Sequence, residues 1–333
     1  MVKRVFSSLR LPAVLVVLLL FGAVAAHAAT ARPKVSLGSS SARLQPPSGA
    51  WFGGYVKKRT EPSHYDAVVA LERAIGRKLS IDHHYHAWNA LTLREEGMDL
   101  AAGRIPLVSW PSGSWPAGVD ARAINSGSQD ALIKAAADTF KALGGQVFLR
   151  FAYEMDQDPA SGRYIGLPAD FIAAWKRVHD IFVRRGATNV VWVWCAVSHN
   201  FANGRAQSYY PGSASVDWVA ADGWSFWPVR QTPKGRWRSL QEIFTSFYGW
   251  GAGSGKPLMI AATGVQEDPG QPLRKAQWFA DATAWLKTSP AIKAFMYWSA
   301  DQPTPNGPAL FWVDSSPGSL GAYARMGGDP YFK

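Results

Sequence analysis

The chain has 333 residues, 47% of them hydrophobic and 18% charged, with 16 tryptophans, a single cysteine and a formal charge of +11. That apolar fraction excludes intrinsic disorder. One cysteine excludes a disulfide framework, a zinc ribbon and any cluster held by several thiolates.

The first 28 residues read as a secretory signal peptide. Lys3, Arg4 and Arg10 form a basic start, Leu11 to Ala26 is almost wholly apolar, and Ala26-His27-Ala28 is a small-x-small cleavage site. A retained membrane anchor is the alternative, weakened by an apolar run shorter than the ~20 residues a spanning helix needs. Cleavage removes Lys3, Arg4 and Arg10, taking +11 to +8. The remaining basic runs, Lys57-Lys58-Arg59, Arg184-Arg185 and Lys234 to Arg238, are separated by neutral sequence and read as solvated surface, with no nucleic-acid partner. Residues 29–49 are rich in Ser, Pro and Gly and predict a flexible leader.

From residue 50 to 333, short apolar runs alternate with amphipathic segments. Strands are predicted at Trp51–Val56, Leu79–His83, Ile105–Trp110, Val147–Phe151, Val190–Trp194, Trp218–Asp222, Leu258–Ala262 and Ile292–Trp298. Helices are predicted at Ser63–Ile75, at Ser128–Leu143 with a capping serine and a terminal Gly144, at Pro168–Arg185, Ser239–Trp250 and Leu273–Lys287. Ala206–Tyr209 is a weak candidate in the fifth crossover. Eight strands alternating with helices imply parallel pairing, and the simplest closed solution is a single-domain α/β (β/α)8 TIM barrel. A doubly wound open sheet is second, without a Gly-rich phosphate loop after its first strand.

In such a barrel the chemistry stands at the C-terminal ends of the strands. There the chain offers Asp82-His83-His84-Tyr85-His86-Ala87-Trp88, Trp110 and Trp115, Arg150-Phe151-Ala152-Tyr153-Glu154, Asp222-Gly223-Trp224 with Trp227, Ala261-Ala262-Thr263-Gly264, and Trp298 with Asp301. Flat indoles beside hydrogen-bonding groups suit pyranose rings, whose C–H faces are apolar and whose hydroxyls are polar. No phosphate cradle or carboxylate cage is visible, so no cofactor is expected. The run of histidines suggests no metal, since alternation sends neighbours on a strand to opposite faces. Cys195 reads as a small residue at a strand end.

Phe148 to Asp156 resembles the fourth-strand segment of glycoside hydrolase family 26. So do Ala173 to Asp180, Gly186 to Trp194, Tyr210-Pro211-Gly212, Val216 to Val219, Asp222-Gly223-Trp224 and Lys256 to Ala261, in the order expected of that family. The resemblance implies a secreted retaining β-glycanase, chiefly a β-mannanase, with Glu154 as acid/base. Partial burial would raise its pKa toward neutrality, as a general acid requires. The family's nucleophile glutamate falls on Ala262, which can neither attack an anomeric carbon nor stabilise an oxocarbenium ion. Two further positions depart from the pattern: Tyr153 stands where many members have His, and Trp224 where many have Tyr. Asp222 and Asp301, or Glu267-Asp268, are candidate substitutes for the missing carboxylate. Trp175, Trp278 and Trp285 are expected in the core. Trp88, Trp110, Trp115, Trp224, Trp227 and Trp298, with Arg150 and Tyr153, are expected to contact sugar. Two functions stay open, hydrolysis of a β-linked polysaccharide by a monomeric secreted enzyme, and binding of one by a protein that has lost the chemistry.

Overall fold

The computed structural model describes residues 44–111, 119–159, 165–228 and 236–333. The predicted signal peptide, the leader up to Arg43, and Trp115 lie outside the described residues.

Strands β1 (Trp51–Val56), β2 (Ile81–Tyr85), β3 (Ile105–Trp110), β4 (Val147–Phe151), β5 (Val190–Val197), β6 (Trp218–Ser225), β7 (Leu258–Val265) and β8 (Ile292–Ser299) pair in parallel and in chain order. β8 closes onto β1, with Trp51 opposite Ala294 and Tyr55 opposite Trp298. Closure rules out the open sheet. The helices are α1 (His64–Ile75), α2 (Arg94–Ala102), α3 (Ala121–Asn125), α4 (Asp130–Leu143), α5 (Pro168–Arg185), α6 (Arg205–Ser208), α7 (Leu240–Gly251), α8 (Arg274–Lys287) and α9 (Pro317–Gly328). A two-stranded ribbon, β9 (Asp301–Gln302) and β10 (Ala309–Leu310), follows the last barrel strand.

Period-two alternation divides the apolar residues into two cores. Inside the barrel, Ile81, Leu107, Phe148, Val191, Val193, Trp218, Ala220, Met259 and Met296 pack together. Trp51 stacks on Trp218 with ring centroids 6.0 Å apart. Between strands and helices lies the larger core, where Trp175 and Trp278 sit as expected and Trp285 packs at its margin.

Several boundaries moved. β2 starts two residues later than predicted, because the Leu79 amide is drawn to the Glu72 carboxylate (2.8 Å) instead of the ladder. β5, β6 and β7 each run three residues further, so Cys195, Asp222 and Ala262 lie within strands rather than at their tips. α4 starts at Asp130, and Ser128 caps nothing: its hydroxyl donates back to the Ala123 carbonyl at 2.8 Å. The leader is anchored at its end, with Leu44 packed against the interior core. α9 has four glycines and little intrinsic helical preference. Packing overrides this: Tyr323 meets Phe52 at 4.8 Å between centroids, and Gly327 lies so close that an added Cβ would come within 3.0 Å of the Phe52 ring.

Candidate active site at the barrel mouth

Beneath the mouth, inward positions of five strands form a polar layer. Arg150 on β4 donates through Nη1 to both oxygens of Asp222 on β6, at 2.7 and 2.5 Å, and through Nε to Ser109 Oγ on β3 at 2.7 Å. His83 Nε2 meets the same hydroxyl at 2.6 Å, and the Cys195 thiol donates to Asp222 Oδ1 at 3.3 Å. Burial, and then the Arg150 charge, hold the His83 imidazole well below its ordinary pKa. Burial and Asp222 push the Cys195 thiol well up, which fits an inert side chain.

Past β4 the chain turns sharply. Ala152 and Glu154 both take positive φ, 46° and 56°. A non-glycine residue in that region costs about 1–3 kcal/mol and persists where its surroundings dictate it. The dictating bonds are visible: the Ala152 amide donates to the Trp110 carbonyl (3.0 Å) and the Glu154 amide to the Cys195 carbonyl (2.9 Å). Glu154 is thereby held at the mouth, 6% exposed, with the Gln157 side-chain amide donating to its Oε2. Asp156 lies behind it and braces the end of β5, accepting from the Val197 amide (3.0 Å) and the Asn200 amide (3.0 Å).

Burial pushes the Asp156 carboxyl up to about 6, against those two hydrogen bonds and with the Glu154 charge adding to the rise. An unfolded Asp titrates near ~3.9, so the stability linked to Asp156 is fully present below about pH 4 and is lost as pH rises through about 6. Carbon-detected carboxylate titration should find the Asp156 midpoint near 6 and lower in Glu154→Gln. A midpoint below 4.5 in the wild type would contradict this.

On β7 the register slips. Ala221 pairs with Ile260, but the next residue, Asp222, pairs with Ala262. The irregularity is a bulge, a device common beside active sites because it re-aims a side chain. It brings Ala262 into step with inward-pointing Asp222. The candidate substitutes have other partners. Asp222 is held by Arg150. Asp301 pairs with Lys57 at 2.6 Å. Asp268 pairs with Arg274 at 2.7 Å, and Glu267 accepts from the Ser315 and Ser316 hydroxyls.

The aromatic surface differs from the expected one. Trp88 and Trp110 are 2% and 0% exposed, stacked at 4.3 Å and packed against Phe151, so neither offers a face to a sugar. Strand-end position alone did not tell that their rings turn outward into the helix layer. Arg150 is fully buried, and Tyr153 covers its guanidinium at 4.1 Å, so both belong to the polar layer rather than to a sugar-contacting surface. Half-buried Trp224 and Trp298 do reach the mouth, meeting edge to face at 5.2 Å, and Phe311 after β10 packs on both. Gly264 makes room for it, since an added Cβ would come 2.8 Å from the Phe311 ring. Trp227 is half-buried nearby in sequence. Tyr55 extends the band by stacking on Trp298 (5.8 Å), and Tyr85, 36% exposed, meets Tyr55 at 5.1 Å and Tyr153 at 5.9 Å. Tyr55 was missed, although its place next to last in β1 marks it as a strand-end residue.

Beside this band is a cavity of about 340 Å³ lined by Tyr55, His64, His84, Tyr85, His86 and Glu96, among others. Burial disfavours charge on His84, but Asp82, Asp99 and Glu96 outweigh it and push its pKa up to about 9.

No family model matches the chain. Endoglucanase H of Acetivibrio thermocellus is 30% identical over 297 residues, which is 86% of this chain; the chain spans 31% of that relative's length. Among solved structures, a glycoside hydrolase family 26 β-mannanase of Bacteroides ovatus superposes with a TM-score of 0.59 at 13% identity, covering 86% of this chain and 90% of that one. A family 26 protein of Muricauda gives 0.63 at 13% identity, over 86% and 87%. A modular endo-β-1,4-mannanase of Cellulomonas fimi gives 0.60 at 16%, over 86% and 72%. Along most of its length the chain is thus similar in sequence to part of an endoglucanase, and its barrel has the fold of the family 26 structures.

Proposed function

We propose that the protein is a glycoside-hydrolase-like, polysaccharide-binding barrel that holds a β-linked glycan against the aromatic band and lacks the two-carboxylate chemistry of retaining hydrolysis. The observation that carries this reading is Ala262 in register with Asp222, with Arg150 engaging both oxygens of that aspartate. A retaining pair needs carboxyl groups about 5–5.5 Å apart, and a methyl group supplies neither nucleophile nor charge. Trp224, Trp298 and Tyr85 supply ring surface for pyranose C–H faces, with Tyr55 stacked behind Trp298. A β-mannan or glucomannan is favoured, in keeping with the mannanase and endoglucanase names of the relatives. The N-terminal segment supports secretion, and the protein is taken to act as a monomer.

Hydrolysis with Glu154 as general acid is the second reading. It is favoured by the strained backbone that holds this buried carboxyl at the mouth. Another group would then have to activate water across the glycosidic bond.

Affinity electrophoresis in mannan, glucomannan, xylan and mixed-linkage β-glucan, run beside a reducing-end assay, separates the two. The expected result is retardation by at least one glycan without new reducing ends. Trp298→Ala should weaken binding about tenfold, the ~1.4 kcal/mol of one lost aromatic contact. Turnover by the wild type that disappears in Glu154→Gln would establish the second reading instead.

A further inference from the structure

Behind β2, on the face turned toward the helices, three side chains converge. His64 opens α1, and Asp82 and His84 share one face of β2 by alternation. Their ligating atoms all lie within 4.8 Å of one another. His64 Nε2 is 2.8 Å from Asp82 Oδ1, and His84 Nε2 is 3.5 Å from Asp82 Oδ2. Asp82 is completely buried, and its Oδ2 has no hydrogen-bond partner. A buried, orphaned carboxylate oxygen is costly unless something cationic answers it.

The hydrogen bonding of His64 points the same way. Its Nδ1 is 3.0 Å from the Val56 carbonyl, which can only accept. The Nδ1 proton is therefore committed there, and neutral His64 turns the lone pair of Nε2 toward a carboxylate. Two acceptors face each other, and only a proton or a metal cation reconciles them. An imidazole whose second nitrogen donates to a backbone carbonyl is also the usual arrangement of a metal-bound histidine.

The surroundings are rich in negative charge. Glu72, Asp82, Glu96 and Asp99 are all buried, and the Arg104 guanidinium pairs with Asp99 (2.8 Å) and Glu72 (3.0 Å). Asp82 and Glu96 are left with imidazoles. The adjoining cavity reaches His64 and His84, so a cation and its remaining water ligands have access and room.

We propose that His64, Asp82 and His84 form a binding site for a divalent transition-metal ion of the zinc type, distinct from the glycan site at the barrel mouth. Two imidazoles and one carboxylate suit zinc or cobalt and are a poor set for calcium or magnesium. The cation takes the place of the proton that His84 Nε2 now shares with Asp99 at 2.6 Å. It clamps the start of α1 to β2. Through His64, on which Tyr55 stacks at 5.3 Å, it also steadies one ring of the aromatic band. His64 and Asp82 meet only in the fold, so the sequence pattern does not display this set.

The test uses the whole chain, stripped with a chelator and titrated with Zn2+ by calorimetry and with Co2+ by visible absorption. One saturable equivalent, a rise in the thermal midpoint with Zn2+ and cobalt ligand-field bands are expected. His64→Ala, at the accessible edge of the site, and the near-isosteric Asp82→Asn should each weaken binding at least tenfold, with circular dichroism confirming that the variant compared is folded. Absence of saturable binding by the wild type would overturn the proposal. So would binding left unchanged in whichever of the two variants folds.

Discussion

Arg150→Met is expected to lower the unfolding free energy by about 3–5 kcal/mol, the range for removing one partner of a buried ion pair. The guanidinium is fully buried and Asp222 is 2% exposed, so solvent cannot replace the lost partner. The methionine stem fills much of the vacated volume, which leaves the uncompensated charge on Asp222 as the main cost. The Ser109 hydroxyl keeps His83 but loses the guanidinium, and the Tyr153 ring loses the cation it covers. Replacing both charges, as Arg150→Met with Asp222→Leu, should recover most of the loss, because an apolar pair carries no desolvation penalty. Urea unfolding checks this through the midpoint at unchanged slope. A single variant within 1 kcal/mol of the wild type would mean that water reaches the pair.

The barrel was legible because strands buried on both faces leave short apolar runs, and eight such runs spaced by helical segments admit few closed arrangements. Strand ends were less legible. β5, β6 and β7 continue through Cys195 to Val197, Gly223 to Ser225 and Thr263 to Val265, where Ala196, Gly223, Ser225 and Gly264 dilute the strand-forming residues. Those extra residues put Asp222 and Ala262 a layer below the rim. The direction of a ring could not be read from position either: Trp88 follows the end of β2 and Trp298 is next to last in β8, yet the first is sealed under α-helical cover and the second borders the mouth. The place of Glu154 just past β4 was legible through the run Arg150 to Asp156, whereas its strained backbone was not, since no glycine or asparagine marks the turn. The pairing of Asp301 with Lys57 depends on residues 244 positions apart, a distance across which sequence pattern carries no signal.

On the proposed glycan-binding function, Ala262→Glu should introduce hydrolysis, raising the release of reducing ends at least a hundredfold on whichever glycan the wild type retains. The expectation rests on the bulge, which aims residue 262 beside Asp222 on the inward face. A carboxylate placed there would be buried, as Ala262 is 1% exposed, and burial without compensation would favour its protonated form. Arg150 is the nearby compensation, because it already serves Asp222 and a second carboxylate can draw on the same positive charge. Glu154 would then regain a partner for displacement with retention, and the new activity should fall by about 10²–10⁴ when Glu154→Gln is added. Proton NMR of the first product distinguishes the route: a β-anomer marks retention through a glycosyl intermediate on residue 262, an α-anomer marks water attack from another carboxylate. A folded Ala262→Glu variant that binds glycan as tightly as the wild type and releases no sugar would dismiss position 262 as the vacant nucleophile site. Activity in the variant combined with none in the parent would instead trace the absence of hydrolysis to a single methyl group, in a cleft where Glu154, the aromatic band and the Arg150–Asp222 pair stand in place.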